Sequence, residues 1–278
     1  MKITIIGLGL LGGSIGLKLR AQGHEVLGID AKEAHEQEAL RLGLVDEIVS
    51  FTEGVKRCDV CFLAIPIHHI EKTLGKVLDL LDSQQVVTDT GSTKESIAQA
   101  VKKHPNRARY VAGHPLAGTE FSGPAAAFPS LFEGKKNLLC DIHLSDKEAV
   151  ETIIRLNEEM GMESVFMESS KHDKHLAYVS HLSHVSSFML GLTVLDIEQD
   201  EQQIFNLAGT GFGSTVRLAK SAPATWAPIF DRNKKHLSDA LGEYIEHLVA
   251  FKRYIDSGDM EAQKAAMTRA NEIKRILK

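Results

Sequence analysis

Several features are scarce in this sequence, and each absence narrows the reading. The chain of 278 residues holds three cysteines, Cys58, Cys61 and Cys140. An odd and sparse set makes no disulfide framework and fits a reducing compartment, so a cytoplasmic protein is expected. The start, Met1-Lys2-Ile3-Thr4-Ile5-Ile6-Gly7, lacks a long apolar stretch and a small-residue cleavage site, so no secretory signal peptide is expected. No uncharged apolar run is long enough to span a bilayer. Charge of one sign is not in large excess: the formal net charge is −5, with both signs mixed along the chain. That argues against nucleic acid or an anionic membrane as the main partner, and leaves room for a small anion held by a local cluster of cations. Internal repeats and low-complexity segments are absent as well.

What is present is the balance of a globular protein, 43% hydrophobic and 25% charged residues, in a length that suits one large or two ordinary domains. The first half alternates short β-rich runs with helical stretches. Strands are expected at Ile3 to Ile6, Glu25 to Ile29, Val60 to Ile65, Val86 to Thr88, Tyr110 to Ala112, Leu138 to Cys140 and Val165 to Met167. Helices are expected from Ser14 to Gln22 and from Glu33 to Leu42. Apolar strands separated by helices imply a mostly parallel sheet covered on both faces, the α/β class. The character changes near Glu168, which divides the chain into a dinucleotide-binding domain over 1–168 and an all-helical domain over 169–278. Lys171 to Asp196 forms one long pattern. Its centre, Leu176 to Leu195, is apolar or small on nearly every face and is expected to be buried on all sides. So apolar a helical domain suggests a homodimer; packing inside its own domain is the alternative. Trp226 to Ile255 resumes the helices, and Asp259 suits the N-cap of a last one.

Gly7-Leu8-Gly9-Leu10-Leu11-Gly12 follows the first strand and opens a helix. In that setting the first glycine makes a tight turn, the second lets the backbone approach a pyrophosphate, and the third lets helix and strand pack closely. The helix N-terminus then offers unpaired N–H groups to the phosphates. Asp30 ends the second strand about twenty residues on, where a carboxylate accepts from ribose hydroxyls. It would repel the 2′-phosphate of NADP, so NAD is the expected cofactor.

Three loops stand at strand ends, where open α/β sheets bind their ligands: Ala64-Ile65-Pro66, Asp89 to Lys94, and Gly113 to Glu120. Ile65 and Pro66 are expected beside the cofactor. His114 there can serve as a general base, because a neutral imidazole accepts a proton near pH 7. A lone loop histidine is more often structural. Three patterns carry weaker chemistry. His181 and His184 are three apart on a helix, but no third ligand accompanies them, so no metal is expected. They suit one core histidine and one pocket histidine. Cys58-Asp59-Val60-Cys61 has redox spacing but leads into a strand instead of opening a helix. Arg217 taken alone could be a surface or capping cation.

Gly113-His114-Pro115-Leu116-Ala117-Gly118-Thr119-Glu120-Phe121-Ser122-Gly123 resembles the signature of the prephenate and arogenate dehydrogenases, the TyrA family. The resemblance continues in Asp89 to Lys94, in His172-Asp173, and in Ser180-His181-Leu182-Ser183-His184. It also takes in Gly209 to Arg217 with Ser221-Ala222-Pro223 and Trp226. It implies a Rossmann-type domain followed by a helical domain, hydride transfer to NAD, and oxidative decarboxylation of prephenate to 4-hydroxyphenylpyruvate in tyrosine biosynthesis. It implies that His114 binds the ring hydroxyl with Ser92 in support. Arg217 would bind the ring carboxylate, and His184 would line the pocket with Thr119, Glu120 and Trp226. Ser183 stands where the family has proline. Gly213-Ser214 stand where it often has a charged residue and an aspartate, so a thinner ion-pair network around Glu120 and Arg217 is expected. The glycine motif begins at Gly7 and the chain ends one helix after Asp259. On this reading there is no chorismate mutase segment ahead and no regulatory domain behind, and any feedback by tyrosine acts at the substrate pocket. Arogenate is the nearest alternative substrate. A β-hydroxyacid dehydrogenase matches only at the glycine motif. A non-catalytic dinucleotide sensor would not need His114, Ser92 and Arg217 together.

Overall fold

Short β-branched runs set the frame. The computed structural model describes residues 1–119, 121–198 and 209–276. Eight strands form one sheet: β1 (Lys2–Ile6), β2 (Glu25–Ile29), β3 (Glu47–Ile48), β4 (Val60–Leu63), β5 (Val86–Asp89), β6 (Tyr110–Pro115), β7 (Lys136–Cys140) and β8 (Glu163–Met167). Their spatial order is β3-β2-β1-β4-β5-β6-β7-β8. Neighbours run parallel except β6 and β7. The first six strands have the doubly wound order in which the chain reverses direction between β1 and β4, and ligands bind at that switch point.

Alternation along β1 feeds two cores. Ile3 and Ile5 join Leu8 of the following turn, Ile15 and Leu19 of the first helix, and Ile153 and Leu156 on one face. Ile6 points the other way, with Leu63, Ile70, Leu74 and Val77. The covering helices are α1 (Leu10–Ala21), α2 (Glu33–Arg41), α3 (Phe51–Arg57), α4 (Ile67–Leu80), α5 (Glu95–Val101) and α6 (Lys147–Glu159).

Two details depart from the sequence pattern. β3 is two residues long, paired with Leu27 and Gly28 of β2, and too short to leave a periodic signature. β6 continues past Ala112 to Pro115, because antiparallel β7 pairs Gly113 with Leu139 and His114 with Leu138. His114 therefore sits on a strand paired on its outer side, not on a loop.

After β8 the described residues contain no further strand. α7 (Ser169–Leu176) passes through one π-helical turn, Ala177–His181, into α8 (Leu182–Glu198). Then follow α9 (Thr210–Thr215), a 3₁₀ turn Arg217–Lys220, α10 (Pro223–Arg232), α11 (Lys234–Asp256) and α12 (Met260–Ala270). The Asp259 carboxylate caps α12, accepting from the Ala262 N–H at 2.9 Å. The expectation of a helix buried on all sides is not met within one chain. Met189, Leu192 and Leu195 of α8 are each about half exposed, at 52%, 50% and 51%. The reason is spatial: α7 packs against the sheet domain, whereas the far end of α8 runs beyond it. Among the described residues no helix is long and apolar enough to cross a membrane.

Candidate active site

The turn after β1 forms a cradle at the switch point. Gly7 has φ +98°, a region that favours glycine, and a Cβ there would lie 2.3 Å from the Ala64 carbonyl oxygen. A Cβ on Gly12 would lie 1.8 Å from the Gly7 oxygen, so this glycine lets α1 press onto the turn. A Cβ on Gly9 would meet nothing within 4 Å, which marks an open face. Gly9 is also the N-cap of α1, and no side chain caps it. The first N–H groups of the helix, at Leu10 and Leu11, thus point to the space where a diphosphate fits. Ile65 lies beside the turn and Pro66 is the N-cap of α4. The arrangement fits a dinucleotide.

Asp30 closes the cradle at the end of β2. One carboxylate oxygen accepts from the Leu8 N–H at 2.8 Å, and the other accepts from the Lys32 N–H at 2.9 Å. Glu36 Oε1 accepts from the Asp30 N–H at 3.1 Å, which brings a second carboxylate to the same rim. His35 Nδ1 stands 3.3 Å from Asp30. Two acidic groups at the ribose end oppose an additional phosphate there.

His114 lies deeper, 8% exposed, near the C-terminal end of the sheet. Its backbone N–H donates to Asn137 Oδ1 at 2.9 Å, and the Asn137 amide donates to Asn157 at 2.9 Å, which locks β6 to β7 at this position. The ring is tied by a line of three groups. His114 Nδ1 lies 2.8 Å from His172 Nε2, and His172 Nδ1 lies 2.7 Å from Asp173 Oδ1. Asp173 also accepts from the backbone N–H groups of Lys94 (2.7 Å) and Glu95 (2.9 Å) at the start of α5. The fully buried Lys94 ammonium pairs with Asp89, whose other oxygen accepts from the Tyr110 hydroxyl at 2.5 Å. Burial, with His172, Lys94 and His181 nearby, holds the His114 imidazole well below its ordinary pKa of 6.5. The ring is neutral at pH 7 and able to accept a proton. Ser92 stands in the loop between β5 and α5. Among the described residues no hydrogen bond joins its hydroxyl to His114; the ring partner is His172.

The helical part supplies the facing wall. His181, at the end of the π turn, is buried, and its Nδ1 lies 3.0 Å from the Asn233 amide nitrogen. The same amide donates to the Asp173 carbonyl at 2.7 Å. Burial pushes the His181 imidazole down to about 4. His184 is half-buried and stacks on Trp226, with ring centroids 3.4 Å apart and planes 23° apart. Trp226 also meets His181 edge-on at 6.1 Å. Burial lowers the pKa of His184 against a bond to the Ser180 carbonyl, and Arg217 lies near enough to lower it further. The end of α9, two residues before Arg217, is tied to α8, where the Ser187 hydroxyl donates to the Thr215 carbonyl at 2.8 Å.

The structure thus brings His114, His184, Trp226 and Arg217 into one connected neighbourhood. Thr119 is on the exposed loop after β6, its hydroxyl accepting from the Phe121 N–H at 3.2 Å. Glu120 lies outside the described residues. Ser183 is exposed, and so are Gly213 and Ser214 on α9. His181 Nδ1 and His184 Nδ1 have separate hydrogen-bond partners, the Asn233 amide and the Ser180 carbonyl. Cys58 and Cys61 are buried, at 3% and 0% exposure. Sequence reasoning assigned no role to Asn233, and none to Lys94, His172 or Asp173 beyond a motif match. The available signal was the adjacent His172-Asp173 pair just after the sheet.

A doubly wound sheet, a glycine cradle with an acidic rim, and a buried neutral imidazole at the end of another strand of the same sheet define a dinucleotide-dependent oxidoreductase. Residues 15–166 match the family Prephenate dehydrogenase, nucleotide-binding domain, and residues 168–269 match Prephenate dehydrogenase, dimerization domain. The prephenate dehydrogenase of Bacillus subtilis is 33% identical over 271 residues, covering 94% of this chain and 72% of that protein. The crystal structure of prephenate dehydrogenase from A. aeolicus with hydroxyphenyl propionate and NAD+ superposes with a TM-score of 0.90 at 30% identity, over 99% of this chain and 97% of that one. Synechocystis arogenate dehydrogenase superposes at 0.82 with 27% identity, covering 99% of both chains. The chain belongs to the prephenate dehydrogenase family.

Proposed function

We propose that this chain is an NAD-dependent prephenate dehydrogenase, converting prephenate to 4-hydroxyphenylpyruvate and carbon dioxide. The observation that carries the reading is the buried, neutral His114 at the end of β6, with His181 near it and, on the far side of His181, the Trp226–His184 stack and the Arg217 cation. Bound NAD would supply the hydride acceptor. Gly7, Gly9, Gly12 and the first turn of α1 would hold its diphosphate, Asp30 its ribose, and Ile65 and Pro66 would border it.

The residues then have three tasks. His114 accepts the ring hydroxyl's hydrogen bond and takes its proton as hydride leaves the carbinol carbon. The ring carboxylate departs as carbon dioxide, the ring becomes aromatic, and the proton returns to the phenolate oxygen. Arg217 draws the dianionic substrate in through its ring carboxylate. His184 and Trp226 supply a flat wall for the ring, and the motif resemblance assigns Thr119, Glu120 and Ser92 to the same substrate. The division at residue 168 separates the cofactor part from the helical part. The outward apolar face of α8 supports a homodimer formed through that helical part, and the three buried free cysteines support a cytoplasmic setting.

Arogenate is the second reading, favoured by the likeness to the Synechocystis structure. The deciding experiment follows NADH formation with prephenate and with arogenate side by side. Turnover of prephenate at the higher kcat/KM supports the proposal. Turnover of arogenate alone replaces it, and no turnover of either removes it.

A further inference from the structure

We propose that His172 and Asp173 are positioning residues that fix the tautomer of His114, so that its Nε2 presents a bare lone pair to the substrate hydroxyl. The inference rests on His114 being the base and adds what makes it one.

The argument is a count of protons along a line. An ionised carboxylate only accepts hydrogen bonds. Asp173 receives two from the backbone of Lys94 and Glu95 and a third from His172, so His172 must carry its proton on Nδ1. A neutral His172 then has no proton on Nε2, which becomes an acceptor. That atom lies 2.8 Å from His114 Nδ1, so His114 donates from Nδ1 and its Nε2 is left unprotonated. The reversed order needs a doubly protonated His172. Burial opposes that, and so does the Lys94 ammonium nearby.

The line is held at several points. Asp173 is pinned by the first backbone groups of α5, and Asn233 from the start of α11 ties the Asp173 carbonyl to His181. His114 and His172 rings meet nearly edge-on, with centroids 5.0 Å apart and planes at 60°, a geometry that lets both nitrogens share one bond line. When the hydroxyl proton reaches Nε2, the imidazolium still donates to His172, with Asp173 behind it, as the buried carboxylate does for the histidine of a serine–histidine–aspartate triad.

Nitrogen-15 long-range correlation spectra of the histidine rings in the wild-type enzyme test the tautomer directly. A His114 ring protonated at Nδ1 with Nε2 bare is expected; protonation at Nε2 would overturn the proposal. Two variants test its kinetic weight with prephenate and NAD. His172→Leu, which removes the acceptor, is expected to lower kcat by roughly 10²–10⁴ with little change in the KM for NAD. His172→Gln, which keeps an acceptor oxygen near the same place, should recover much of that loss. A glutamine variant as slow as the leucine one would refute the positioning role. Parallel assay of His114→Asn separates the two levels of the argument. If that variant falls and His172→Leu does not, the base stands and the positioning role is lost. If His114→Asn keeps full turnover, the base reading itself fails. Should His172→Leu not fold, the wild-type spectrum alone decides.

Discussion

Lowering the pH should weaken this protein through His181, and the size of the effect follows from its surroundings. In the folded chain the His181 Nδ1 faces an Asn233 amide nitrogen that is already a donor, so the ring must be neutral and accepting there. Burial holds its pKa near 4, against the ordinary 6.5 that the unfolded chain regains. Between those values the unfolded state binds the extra proton and the folded state does not. Stability is therefore fully present above the unfolded pKa and is lost as pH falls toward the folded one. Going from pH 7 to pH 5, this one site should cost about 2 kcal/mol. His114 and His172 are shifted in the same direction and add to the loss. The comparison that isolates His181 is His181→Asn, whose side-chain oxygen can accept from Asn233 but does not titrate. Urea unfolding at pH 7 and pH 5, at one protein concentration, should show the wild type losing about 2 kcal/mol more than the variant. Parallel pH dependences in the two proteins would mean that His181 is not held neutral in the fold.

Four further outcomes are expected. His114→Asn should lower kcat by about 10²–10⁴ and leave NAD affinity nearly intact, as measured by steady-state kinetics and a cofactor titration. Arg217→Ala should raise the KM for prephenate roughly 30-fold, the effect of losing about 2 kcal/mol of anion binding; an unchanged KM removes Arg217 from the site. Asp30→Asn keeps one acceptor oxygen for the Leu8 or the Lys32 N–H, loses the other, and removes the charge that opposes a 2′-phosphate. The preference for NAD over NADP in paired kinetics should narrow by about tenfold. Leu192→Glu places a charge on the exposed face of α8 and should shift the protein toward monomer in light scattering, whereas an undisturbed dimer would locate the interface elsewhere.

The parts legible in the sequence were those written in local pattern. The glycine turn, the acidic end of β2 and the alternation of strand and helix each need only a few adjacent residues, and each stands where it was expected. The extension of β6 was hidden because its cause is β7, whose pairing partner lies more than twenty residues away in Leu138 and Leu139. The tie between His114 and His172 was hidden for the same reason, spanning 58 positions. The support expected from Ser92, for that ring or for the substrate hydroxyl, came from motif resemblance, whereas the Nδ1 side of the ring is held by His172. The outward apolar side of α8 could not be told from a buried one, because composition reports that a surface avoids water without saying which molecule covers it.

One continuous rod, α7 through the π turn into α8, carries His172 and Asp173 at one end and Met189, Leu192 and Leu195 at the other. At about 1.5 Å per residue, the two ends are some 30 Å apart along its axis. A rod transmits displacement with little loss, so a slide or twist that a second copy imposed on the exposed end would arrive at His172 at the other, and through it at His114. On the proposed function, assembly and proton transfer would then share a single lever.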